Sequence, residues 1–436
     1  MTGSLRRAAW RSVREQPCAR VSDRAKRLGK RDILGLKADP VEAAMTAATV
    51  GVLRETVPAE RRVALVPDLV PAAGRLGATV LVEPGAGAPA GHHDADYRAA
   101  GAAVSGRAEL LRRADVLIGI HPPNVDPVHE LRPGQVLAAL LRPQRIPYLV
   151  RQWADRGVTA IGLDLAPDLP AAYPLDAEAS QARVAGYRAV LLAAERLDRC
   201  LPPWGTTDGP FDPVRVLVVG AGPAGLQAID TARRLGAPVR AVEPRHRERA
   251  AVAALGAELL DLPGLRPVAD DRELWEALDR ERPAWVAGLA EAAVRYDLVV
   301  TALAPPGRLP PVLLHAATTA RLRPGAVLVD LAAGPEGGNV EGALPGTATP
   351  DGDGGDGGDG GGATVIAAGE LAARVPGTAS RAYAHNVLAL LDRLLRGGPF
   401  AGDPVLGPML VTDRGAVRHE PTSRLLMEAT AAAGLP

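Results

Sequence analysis

Three glycines and an acid carry the clearest chemistry in this chain. Gly220, Gly222 and Gly225 stand in the spacing G-x-G-x-x-G, and Glu243 follows 23 residues after the first of them. Such a pattern builds a turn against phosphate: Gly220 permits a tight bend, Gly222 lets the backbone approach a pyrophosphate, and Gly225 allows helix and strand to touch. Pro223 and Ala224 open the helix, whose amides and positive dipole end suit an anion. An acid at Glu243 accepts hydrogen bonds from the adenosine ribose hydroxyls and repels a 2′-phosphate, which favours NAD(H) over NADP(H). Arg245 tempers that preference, because an arginine just past the acid can meet a phosphate. Ala302 and Leu303, in "VVTALAPPG", end the next expected strand where ligands sit in such folds. Their backbone groups could line the nicotinamide ribose; an ordinary proline-stopped loop is an equal reading of that pattern.

These residues need strands and helices to hold them. Short runs rich in Val, Ile and Leu recur before residue 165: "ATVGVL", "ATVLVE", "ADVLIGI", "GQVLAALL" and "GVTAIGL". Helix-length segments separate them, which predicts parallel strands with crossover helices. A long helical pattern runs from Asp176 to Leu197, and "LPPWGTTDGPFDP" interrupts it with glycines and prolines. A second unit then has strands at "RVLVVG", "PVRAVE", "YDLVVTAL", "AVLVDLA" and "TVIAA" and reads as doubly wound α/β. Between its last two strands, "PDGDGGDGGDGGG" (residues 350–362) has no apolar residue to offset the entropy of ordering it, and reads as a disordered loop. It is a poor calcium repeat, lacking the nonapeptide spacing of such arrays.

Composition narrows the class. At 436 residues the chain exceeds what one core usually serves, so two domains are expected. No uninterrupted apolar run reaches the roughly 20 residues that span a bilayer, which predicts a soluble protein. Two cysteines, Cys18 and Cys200, make neither a disulfide framework nor a four-cysteine metal site, and no metal is expected. A reducing, cytoplasmic setting is expected from the same usage. Net charge is zero and no basic groove suggests nucleic acid. Residues 1–44 differ: they carry eleven Lys or Arg against five Asp or Glu, and hold all three lysines of the chain, Lys26, Lys30 and Lys37. With Met45 placed as a second start, they read as a basic, flexible extension or translated upstream sequence. Asp23, Asp32, Asp39 and Glu42 speak against a transit peptide.

Several segments together resemble the NAD(H)-binding domain of proton-translocating nicotinamide nucleotide transhydrogenase, in the alanine dehydrogenase and transhydrogenase superfamily. They are "GVLRETVPAERRVALVPDLV", "VEPGAGAPAGHHDADY", "VAGYRAV", the glycine fingerprint, "VVTALAPPGRLPP" and "VLVDLAAGPEGGNVE", in family order. The resemblance implies two Rossmann-like, doubly wound parallel-sheet domains, the second inserted into the first: residues 45–176 with 377–436, and 177–376. It implies NAD(H) in the cleft between them, a homodimer, and hydride transfer to NADP on a partner subunit whose membrane part couples the exchange to protons. It also implies a place at the inner membrane through that partner.

Alanine dehydrogenases of this superfamily use a lysine and a histidine near the substrate; those positions fall on Gly119 and Arg142. His121, two residues on and before Pro122-Pro123, reads as a loop histidine. The transhydrogenase loop "PRISRAQSMD" meets the nicotinamide and the partner; here "PDLPAAYPLD" puts Asp168 at the arginine position and Tyr173 at the glutamine position, and keeps Asp176. These three are the candidate catalytic residues, although the arginine-to-aspartate change reverses a charge. The family's mobile loop with a tyrosine aligns with "LRPVADDRELWEALDR", which offers Trp275 instead. Arg62 reads either as a carboxylate ligand or as a support of the strand-to-helix turn; Gln181, Gly186, Tyr187 and Arg188 fall on the helix joining the domains, where packing is the expected job of Tyr187. The leading expectation is an NAD(H)-binding transhydrogenase subunit. The alternatives are a stand-alone NAD-dependent oxidoreductase of a small amino or hydroxy acid, with Asp176, Asp168 or His121 as base, and a non-catalytic NAD-binding paralogue.

Overall fold

The computed structural model describes residues 48–123, 130–207, 209–304, 308–343, 363–397 and 400–432. The basic extension 1–44, Met45 and the glycine–aspartate loop 350–362 lie outside the described residues.

Strands β1 (Ala48–Val52), β2 (Ala78–Val82), β3 (Ala103–Val104), β4 (Val116–Ile118), β5 (Val136–Ala139) and β6 (Thr159–Gly162) pair in parallel in the order 3-2-1-4-5-6. A two-stranded hairpin comes next, β7 (Trp204–Thr206) and β8 (Gly209–Phe211). Strands β9 (Val216–Val219), β10 (Val239–Val242), β11 (Glu258–Leu259), β12 (Leu298–Thr301), β13 (Val327–Asp330) and β14 (Thr364–Ala367) form a second parallel sheet in the order 11-10-9-12-13-14, the same winding. The chain then returns to the first sheet, where β15 (Leu410–Asp413) lies antiparallel to β6 and β16 (Ala416–Val417) antiparallel to β15. The protein is thus α/β, with two doubly wound, parallel-dominated sheets.

Each sheet reverses its winding beside its first strand. Val50 of β1 faces Val80 on one side and Val116 on the other; Val216 of β9 faces Val239 and Leu298. Such switch points leave a crevice outside the carboxyl ends of the strands. The apolar runs follow from burial on both faces. In β9, Leu217 and Val219 pack with Trp285 and Leu289, while Val216 and Val218 pack with Ala193 and Ile229.

Three long helices position the crevices. The linking helix Ala177–Arg196 starts at Asp176, whose carboxylate accepts from the Ala179 amide at 2.8 Å. It lies on the fingerprint helix Pro223–Arg234 so closely that a Cβ on Gly186 would overlap the Ala224 carbonyl. The returning helix Pro376–Leu395 is joined to it by hydrogen bonds from Ser180 Oγ to Asn386 Oδ1 (2.8 Å) and from Gln181 Nε2 to the Ala379 carbonyl (3.1 Å).

The segment "LPPWGTTDGPFDP", expected only as a break, forms the β7–β8 hairpin. Trp204 faces Phe211 across it, and Gly209 takes a positive φ (+125°), open to glycine. The stretch aligned with a mobile loop instead opens the helix Asp271–Ala293, where Trp275 is buried beneath the Arg308 guanidinium, 5.1 Å from its ring centroid.

Candidate nucleotide site and the crevice facing it

The glycine turn leaves β9 with Gly220 at φ +89°, a conformation open to glycine. A Cβ there would lie 2.8 Å from the Leu303 amide nitrogen, so the loop after β12 presses directly on the turn. A Cβ on Gly225 would overlap the Gly220 carbonyl oxygen, which keeps helix and turn in contact. Gly222 differs: the nearest atom to its Cβ direction is Arg245 Nη2 at 4.0 Å. Of the three glycines, only the second faces free space, where backbone can approach a ligand. Pro223 and Ala224 begin the helix just beyond it.

Glu243 is fully buried and both its oxygens are engaged. Oε2 accepts from the Ala221 amide (2.6 Å) and Arg245 Nη2 (2.9 Å); Oε1 accepts from the Arg245 amide (2.8 Å) and Nε (2.9 Å). Arg245 also donates to Asp271 at 2.9 Å. Burial works against the Arg245 charge, but Glu243 outweighs it and raises the guanidinium pKa. The acid therefore holds the turn in shape, and meeting a ribose requires it to share a contact now made by Arg245.

Ala302 and Leu303 are fixed by groups that the sequence pattern did not single out. Buried Asn339 accepts from the Leu303 amide (2.9 Å) and donates to the carbonyls of Leu303 and Pro311 (2.9 Å each). Asp330, at the end of β13, accepts from Thr301 Oγ1, the Ala332 amide and the Val340 amide, each at 3.0 Å. Burial raises its carboxyl pKa despite those bonds. The available signal was a polar Asp and Asn flanking the glycines of "DLAAGPEGGN", beside strand ends.

The second crevice, beyond β1 and β4, is densely charged. Arg62 is buried and held by three side chains: it donates to Glu60 Oε2 (2.6 Å), Gln181 Oε1 (3.0 Å) and Glu370 Oε2 (3.0 Å). His121 Nε2 meets Glu60 Oε2 at 2.7 Å, so it belongs to this network. Burial alone would raise Glu60; hydrogen bonds from His121 and Arg62 prevail and bring its pKa down to about 2. Arg142, at φ +45°, is held by its own amide on Asp164 (2.9 Å) and reaches Glu370 at 3.2 Å. Glu55 accepts from the Ile120 amide at 2.6 Å, yet burial pushes its pKa up to about 7. Its Oε1 would be 3.2 Å from any Cβ on Gly119.

Of the three candidate catalytic residues, two come together. Asp168 takes Arg247 Nη1 on both oxygens at 2.8 Å, Tyr173 donates its hydroxyl to Asp168 at 3.2 Å, and Arg247 Nη2 donates to the Tyr173 hydroxyl at 2.9 Å. All three side chains are exposed, and Arg247 stands two residues past Arg245. The Arg247 hydrogen bond and charge lower the Asp168 pKa. Asp176 serves as the cap of the linking helix; burial raises its pKa, with the Asp168 charge adding to the rise. Tyr187 is exposed on that helix rather than packed.

Two doubly wound sheets, a glycine turn open at its second glycine and an acid ending the next strand define a dinucleotide-binding, Rossmann-type α/β fold. The sequence matches the Alanine dehydrogenase/PNT N-terminal domain over residues 51–185 and the Alanine dehydrogenase/PNT C-terminal domain over residues 189–420, and the chain belongs to that family. It is 31% identical to the NAD(P) transhydrogenase subunit alpha of Cereibacter sphaeroides over 85% of this chain and 71% of that protein. It superposes on a transhydrogenase from Sinorhizobium meliloti with a TM-score of 0.71 and 32% identity, covering 85% of this chain and 99% of the other. An L-alanine dehydrogenase superposes equally well, TM-score 0.71, at 25% identity and with 87% and 99% covered. No helix among the described residues is long and apolar enough to cross a membrane.

Proposed function

We propose that this chain is the NAD(H)-binding subunit of an NAD(P) transhydrogenase, exchanging hydride with NADP(H) on a partner subunit. The observation that carries the reading is Gly119. There the family's amino-acid dehydrogenases keep a lysine, and here the position has no side chain, a Cβ standing 3.2 Å from both Glu55 Oε1 and the His121 carbonyl oxygen. The accompanying histidine position is Arg142, tied to Glu370. Direct exchange between two nicotinamide rings needs reacting atoms at roughly 3 to 3.5 Å and no general acid or base. The chain's task is then to bind and orient.

In that role the amides opening the fingerprint helix hold the pyrophosphate at Gly222, Glu243 and Arg245 meet the adenosine ribose, and the Ala302–Leu303 backbone, locked by Asn339, lines the nicotinamide side. Bound NAD(H) supplies the hydride chemistry. The loop with Asp168, Tyr173 and Asp176 faces the partner nucleotide. A homodimer in the cytoplasm, bound to the membrane through the NADP-binding subunit, completes the reading. Mixing the protein with NADH, an NAD analogue and an NADP-binding partner subunit gives hydride exchange on this reading; no exchange at saturating nucleotide refutes it.

One observation favours a second reading, a stand-alone oxidoreductase of an amino or hydroxy acid. Glu55, with its pKa near 7, is placed to accept a proton at neutral pH in the crevice beyond β1 and β4. NADH formation with such an acid, lost in Glu55→Gln, selects it. NADH binding with neither reaction selects the non-catalytic paralogue.

A further inference from the structure

The amino edge of the second sheet, opposite the nucleotide crevice, gathers six arginines around two carboxylates. Arg215 directly precedes β9, Arg240 lies on β10, and Arg323 precedes β13. Buried Asp297 is shared by Arg199 (3.1 Å), Arg215 (3.5 Å) and Arg323 (3.3 Å), and Glu258 pairs with Arg240 at 2.9 Å. Arg233 donates to the Gly256 carbonyl, and neither it nor Arg295 has a carboxylate within ion-pair distance among the described residues. Helix dipoles account for Arg233 and Arg295, which stand at or just past helix C-termini. They do not account for Arg215 and Arg240, which the strands bring to the same place.

Between these side chains runs a groove of about 440 Å³, lined by Arg215, Arg233, Arg240 and Arg295 with Tyr296 and Glu258. Its volume suits a small ligand. Guanidinium forks match the several acceptor oxygens of phosphate in geometry as well as charge. We propose that this groove binds a phosphate-bearing small molecule at a site separate from the nucleotide crevice. The groove is concave and on the scale of one ligand, which favours a small anion over the broad face of an acidic macromolecule. The site does not depend on which reaction the crevice supports, because its residues lie at the opposite strand ends.

The test uses the full chain saturated with NADH, so that the fingerprint is filled before a second anion is added. Calorimetric titration with inorganic pyrophosphate, and separately with AMP, gives single-site binding that weakens about tenfold or more between about 50 and about 300 mM salt. AMP binding tighter than pyrophosphate identifies an organic phosphate ester; the reverse identifies an inorganic phosphate. Arg233→Glu with Arg295→Glu reduces that binding at least about tenfold while NADH affinity stays unchanged. If the double variant fails to fold, the single Arg295→Gln must still weaken pyrophosphate by about threefold. The proposal is overturned if neither probe binds the NADH-saturated protein, if affinity is the same in the variants, or if only a long acidic polymer such as polyglutamate binds.

Discussion

Replacing Glu55 by Gln isolates the proton that the first crevice holds. The carboxyl sits between the Ile120 amide (2.6 Å) and the His121 amide (3.3 Å), and burial outweighs both contacts, raising its pKa from 4.5 to about 7. At 1.36 kcal/mol per tenfold change in acidity, that rise costs the ionised native state about 3 kcal/mol. Proton uptake sets the sign. Below pH 4.5 the folded and unfolded chains are both protonated at this site and it contributes nothing. Between pH 4.5 and 7 the native state binds more protons than the unfolded one, so stability falls as pH rises; above pH 7 the full penalty persists. The glutamine keeps the shape and the acceptor facing Ile120 without titrating. Urea melts at pH 5, 6, 7 and 8 should therefore show the variant gaining on the wild type by about 2.5 kcal/mol from pH 5 to pH 8. Glu60, ionised down to about pH 2, is constant over that range. A stability difference between the two proteins that stays flat from pH 5 to pH 8 refutes the argument and removes the second functional reading with it.

Gly186→Ala forces the linking and fingerprint helices apart, because the new methyl overlaps the Ala224 carbonyl; a loss of about 1–3 kcal/mol in urea melts and about tenfold in NADH affinity by fluorescence titration is expected. Asn339→Ala leaves the Leu303 amide and two carbonyls unpaired in a buried site, costing about 1–3 kcal/mol and raising the KM for NADH, whereas a KM equal to wild type would show that this loop does not line the ligand. Asp168→Ala and Arg247→Ala remove an exposed pair, so a double-mutant cycle should return a coupling under about 1 kcal/mol that shrinks with added salt; a coupling of several kcal/mol means the pair is buried in solution.

The strands were legible because each carries its own signal. "VLVV" at β9 is buried on both faces, and the five apolar runs before residue 165 fall on β1, β2, β4, β5 and β6. The short strands β3, β11 and β16, of two residues each, give no periodicity to read. The glycine turn was legible for a different reason: Gly220 takes a positive φ and Gly225 has no room for a Cβ, and with Gly222 the three glycines fall within six residues. The charged crevice was not, because its partners meet across the chain. Ile120 reaches Glu55 over 65 positions and Arg62 reaches Glu370 over 308, and either acid read alone is an ordinary surface residue.

Asp168 is misread when only one partner is in view. In the sequence, an aspartate at an arginine position reads as a reversed charge and a lost contact. In the fold that charge is answered by Arg247, 79 positions later, with Tyr173 bonded to both. The loop therefore keeps an arginine beside it, now supplied by the helix that comes after Glu243 and Arg245. Arg247 follows Arg245 by two residues, and Arg245 donates both its amide and its guanidinium to Glu243. One ion pair and a two-residue span of backbone thus separate the loop from Glu243, and Asp168→Ala is expected to weaken NADH binding before it changes hydride exchange; unchanged NADH affinity in a fluorescence titration refutes this.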